Sequence, residues 1–133
     1  MKAFVLFTAA LMALGQPPAD TPKDVVDLFR TAAEALADKD SAAFLDKFDR
    51  NMPAYNALHD EVLALLDHSE VGSDVEIVSD EGDAQKRAVQ LDWLLRIDED
   101  QPRRQVIKCR IERQGKKWKI TSLEPVEFFQ PPA

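Results

Sequence analysis

The spacing of apolar residues changes period near residue 70, and no single kind of element accommodates both halves. Upstream, Val25, Val26, Leu28, Phe29, Ala32, Ala33 and Leu36 recur at the three-and-four spacing of one helix face. Downstream, Val89, Leu91, Trp93, Leu95 and Ile97 alternate with Gln90, Asp92, Leu94 and Arg96 on the opposite parity. Helices come first and strands follow. The expected fold class is therefore α+β, with three N-terminal helices packed on a curved antiparallel sheet of about four strands. A chain of 133 residues suits one such domain and is long enough to bury a single core.

Local signals refine the elements. Thr21 is placed to cap the first helix, with Pro22 at its first position and Asp24 in its first turn. Asp40 or Ser41 caps a short second helix through about Phe48, which sets Phe44 and Phe48 on one face. Pro53 opens a third helix with Tyr55, Leu58, Val62, Leu65 and Leu66 inward, and "EVGSD" stops it. Strands are expected over 74–78, 87–97, 104–113 and 117–129, the last bent or broken at Pro125. "SDEGD" and "DEDQP" are turns, and "RQGK" is a hairpin signal.

The start of the chain has a different character. Lys2 precedes a short apolar run over 3–14, and Ala13 and Gly15 are the small residues a signal peptidase needs. Residues 1–15 therefore read as a signal peptide cleaved after about Gly15, which places the mature chain in a periplasm or outside the cell. Residues 16–21 form a linker, 22–129 the domain and 130–133 a tail. The apolar run falls short of the roughly 20 residues a membrane span needs.

Composition narrows the functional classes. A net charge of −7 argues against nonspecific nucleic-acid binding. The single cysteine, Cys109, excludes an intramolecular disulfide and a multi-cysteine zinc site. With two histidines besides, and a "DEGD" run that lacks EF-hand spacing, no metal and no cofactor is expected.

The charge is unevenly spread. Residues 16–83 carry 5 basic and 17 acidic side chains, whereas residues 84–133 carry 11 basic and 7 acidic. The basic excess crowds one hairpin. Lys108 and Arg110 share a face there, as do Lys117 and Lys119, and that stripe could meet an acidic partner or the acidic helices of a second copy. As the outer face of strands it is equally a solvated surface.

Three other groups invite chemistry. Asp92 lies within a hydrophobic run, but on the wet parity of its strand. Tyr55 and His59 are one helical turn apart, so they could form an acid–base pair or be packed side chains at the core boundary. Trp93 and Trp118 share the apolar parity of the sheet, where they line a pocket or fill the core.

Helices followed by a curved antiparallel sheet is the element order of the nuclear transport factor 2-like superfamily. The segment "ALADKDSAAFLDKF" resembles its helix–turn–short-helix entry, and "ERQGKKWKITSLEPVEFF" resembles its last hairpin. The resemblance covers about residues 22–129 and implies a cone whose sheet wraps helices around an apolar pocket, a cystatin-like roll. That superfamily holds isomerases, dehydratases and hydrolases as well as binding and accessory domains, and none of its catalytic sets matches here position by position.

The leading expectation is an exported, non-catalytic binding or accessory module. It would hold a small apolar ligand in the cone, lined by Phe48, Trp93 and Trp118 with Tyr55 as polar handle, or a protein partner on the sheet face. The alternative is a small lyase, isomerase or hydrolase with Asp92 or His59 as general base and Tyr55 as hydrogen-bond donor. A homodimer through the outer sheet face is the third reading.

Overall fold

The structure, a computed structural model, describes residues 21–132. The expected signal peptide and the linker as far as Asp20 lie outside the described residues. Among those described, no helix is long and apolar enough to cross a membrane.

Helix α1 (Lys23–Ala37) begins after Pro22, which occupies the cap position itself, so Thr21 supplies no side-chain cap. Its inner stripe of Val25, Leu28, Phe29, Ala32, Ala33 and Leu36 is buried, and the alanines leave room for close approach to the sheet. Asp40 caps α2 (Ser41–Leu45) by accepting from the Ala43 N–H at 3.0 Å. The helix ends three residues earlier than its pattern predicts, because the chain at Phe48 bridges to Ile120 of the sheet. Phe44 and Phe48 still meet on one side, with tilted rings whose centroids are 5.1 Å apart. Helix α3 (Tyr55–His68) starts two residues after Pro53, behind Ala54 in the left-handed conformation.

The strands β1 (Val71–Gly82), β2 (Lys86–Ile97), β3 (Arg103–Gln114) and β4 (Lys117–Glu124) form one antiparallel meander in the order β1-β2-β3-β4. β1 extends beyond the expected 74–78 at both ends, because it pairs with β2 along its length. Its hairpin depends on Gly82, whose φ is +151° and where a Cβ would lie 2.3 Å from the Lys86 carbonyl oxygen. β4 stops at Glu124, and the remainder of the predicted strand is a 3₁₀ turn, Val126–Phe129. Two register shifts interrupt the ladder, between Ile77 and Ser79 in β1 and opposite Arg110–Ile111 in β4.

The core lies between the helices and the inner sheet face. Trp93 is fully buried and meets the Phe129 ring edge-on at 5.2 Å and the Phe44 ring at 6.4 Å. Its indole N–H donates to Ser73 Oγ at 2.9 Å, so the one polar atom of that side chain is satisfied. Phe129 comes from the 3₁₀ turn and also touches Phe44 and Phe128. The C-terminal segment thereby joins the core.

Candidate functional site

Alternation along each strand carries the helix-free face of the sheet to the outside. Its rows run Asp74–Leu94–Arg104, Glu76–Asp92–Val106, Ser79–Gln90–Lys108–Glu124 and Glu81–Ala88–Arg110–Ser122. The last two rows surround a depression of about 300 Å³ that crosses all four strands. Val78, the bulged residue, and Val106 are large apolar side chains about half exposed.

Charge on this face sorts into paired and unpaired groups. Arg104 holds Asp92 in a bidentate contact of 3.0 and 2.7 Å, and Arg96 pairs with Asp74 at 2.9 Å. The hydrogen bonds from Arg104 keep the Asp92 carboxyl below the usual carboxylate range, against a smaller opposing effect of burial. A carboxylate so held is a poor general base near neutrality. Lys108 and Arg110, by contrast, make no ion pair or side-chain hydrogen bond among the described residues. Glu81 and Glu124 line the same depression, so the face carries both signs where a uniformly basic stripe was expected.

The other half of that stripe turns elsewhere. Lys117 and Lys119 border a groove of about 250 Å³ against α1, with Trp118, Lys116 and Leu28. Lys119 bonds the Asp46 main-chain oxygen. Arg113 stacks 4.8 Å over the Trp118 ring and reaches Asp24 at the start of α1 at 2.8 Å. The indole N–H of Trp118 has no acceptor among the described residues.

Tyr55 and His59 do meet, with ring centroids 6.2 Å apart, in a cleft of about 620 Å³ floored by Phe48 and Leu45. His59 Nδ1 lies 3.1 Å from Asp60 Oδ1, and its side chain is 42% exposed. Asp92 is on the opposite side of the sheet, so Asp92, His59 and Tyr55 are not assembled into one constellation. The four residues expected to line one pocket are likewise divided: Trp93 lies in the core, Trp118 at the α1 groove, and Phe48 and Tyr55 in this cleft.

No protein-family model and no curated protein matches the sequence. Solved structures do match in shape. A nuclear transport factor 2-like protein of unknown function from Shewanella oneidensis MR-1 aligns at TM-score 0.65 and 16% identity, over 75% of this chain and 93% of that one. A protein of unknown function with a cystatin-like fold from Nostoc punctiforme PCC 73102 aligns at 0.59 and 14%, over 81% and 91%. The chain has the nuclear transport factor 2-like fold. It also matches Bd1075 of Bdellovibrio bacteriovorus at 0.68 and 13% identity, over 77% of this chain but 40% of that one. At these identities the likeness extends to the fold alone. Within the nuclear transport factor 2-like frame, this chain packs Phe129 against Trp93 in its core and leaves its outer sheet face without a covering element among the described residues.

Of the depression's acidic members, Glu81 enters the sequence reasoning only within the "DEGD" run and Glu124 is not singled out at all. Their signal was present as charge but not as position. Glu81 sits in a run read as a turn, and Glu124 reaches the row of Lys108 only after the register shift in β4.

Proposed function

We propose that this protein is a non-catalytic binding module that works by docking protein on its outer sheet face, with a second copy of the chain as the occupant. The observation that carries the reading is the pair of cations without an ion-pair partner among the described residues, Lys108 and Arg110, beside Glu81 and Glu124 in one depression. A face with both signs complements itself across a twofold axis, whereas a polyanion would favour one sign. Size supports it. Strands about 4.8 Å apart and rows of about eight residues at about 3.3 Å give a face of about 500 Å². Two such faces bury about 1,000 Å² together, the least a biological interface should clear and in the range of weak, reversible association. Exposed Val78 and Val106 supply apolar contact near the charges.

Charge reversal tests this. Lys108→Glu with Arg110→Glu is expected to convert dimer to monomer in sedimentation equilibrium, with an unchanged circular dichroism spectrum. A double variant that sediments like the parent chain refutes the proposal.

A further inference from the structure

We infer that the cleft between α2, the start of α3 and the β3–β4 hairpin is a second, separate site, which takes a small organic monocarboxylate with an aromatic or apolar body. Its walls are already sorted by hydrogen bonding. Both Asp49 oxygens are occupied, by the Asn51 N–H at 2.8 Å and by Gln114 Nε2 at 2.8 Å. Asp46 is engaged by Lys119. The groups left over in the cleft are donors. Arg50 has no ion-pair partner among the described residues, and the Tyr55 hydroxyl has no hydrogen bond there. A guanidinium with a nearby phenol recognises a planar carboxylate by paired N–H and O–H donors. With Asp46 offset by Lys119, the remaining Asp49 and Arg50 leave no surplus positive charge, which disfavours a dianion such as phosphate. Leu45 and Phe48 form a buried apolar floor, and the Tyr55 and His59 rings stand beside it. The volume of about 620 Å³ falls in the range of small-molecule sites.

Benzoate and phenylacetate are the probes, titrated into the intact protein while the His59 ring and Tyr55 ring signals are followed by NMR. Saturable shifts are expected with at least one of them. Arg50→Gln should weaken that binding about tenfold, as loss of a charge-assisted hydrogen bond does, and Tyr55→Phe should weaken it less. Lys108→Gln, on the outer sheet face, should leave it unchanged. Shifts that fail to saturate with both probes, or that survive Arg50→Gln at full affinity, overturn the assignment.

Discussion

Replacing Phe129 by alanine probes whether the cone is truly closed. The ring is fully buried and contacts Trp93, Phe44 and Phe128 at centroid distances of 5.2, 5.6 and 5.2 Å. Losing a buried phenylalanine side chain costs about 3–5 kcal/mol from lost transfer and residual cavity together. Each aromatic contact falls within the range worth about 0.5–1.5 kcal/mol beyond area, so the upper half of that range applies here. In a domain of this size about 4 kcal/mol corresponds to a fall of about 10–20 °C in melting temperature. The assay is urea unfolding followed by tryptophan fluorescence, since Trp93 faces the deleted ring. An apolar void of this kind stays dry and accepts a small aromatic guest, so benzene should restore part of the loss. A destabilisation below about 1 kcal/mol would show that the 3₁₀ turn does not belong to the core. The inner face of the sheet would then be open to ligands.

Other perturbations separate local effects. Glu61 has a buried oxygen without a partner among the described residues, and burial, reinforced by Glu127, raises its pKa above the ordinary value. The folded state then favours the protonated form, so this group's contribution is greatest at low pH and is lost as pH rises through its folded pKa. Glu61→Gln should therefore stabilise the protein at pH 7 by about 0.5 kcal/mol, with no gain at pH 4, as measured by chemical denaturation. Asp92 has the opposite sign: its pKa is depressed by Arg104, so the pair stabilises above the unfolded carboxylate range and the effect fades as pH falls through the folded pKa. Arg104→Gln should raise the Asp92 titration seen by NMR and lower stability at pH 7 only slightly, because Arg104 is largely exposed. Cys109 is buried and its thiol is pushed far up by desolvation. It should resist a thiol reagent in the native state and react fully in denaturant; rapid native reaction would contradict its packing. If residues 1–15 are a signal peptide, the intact mass of the chain expressed from Met1 should correspond to a start at Gln16, and a retained N-terminal segment would refute that reading.

The helix stripe and the strand parity were both legible because each depends on a short period that sequence displays directly. Val25 through Leu36 and Val89 through Ile97 fall on the faces their spacing assigns. What could not be read was anything set by offset between segments. The bulge at Val78 and the shift opposite Arg110 decide which charges share a row, and neither leaves a glycine or proline at the spot. The basic hairpin therefore looked continuous, although Lys108 and Arg110 face one side and Lys119 turns to Asp46. The Tyr55–His59 contact was readable, because one helical turn fixes it. Arg50 beside it was not, since its position follows from the loop that joins α2 to α3. Trp93 appeared as a candidate pocket residue for a related reason: parity places it inward, but only the return of Phe129 from the far end of the chain determines that it is packed.

The most direct test of docking through the outer sheet face is the solution mass of the unmodified protein, measured by light scattering over a wide dilution series. A mass of twice the chain that falls to one chain at the lowest concentrations is the predicted result. A single-chain mass at every concentration would contradict it.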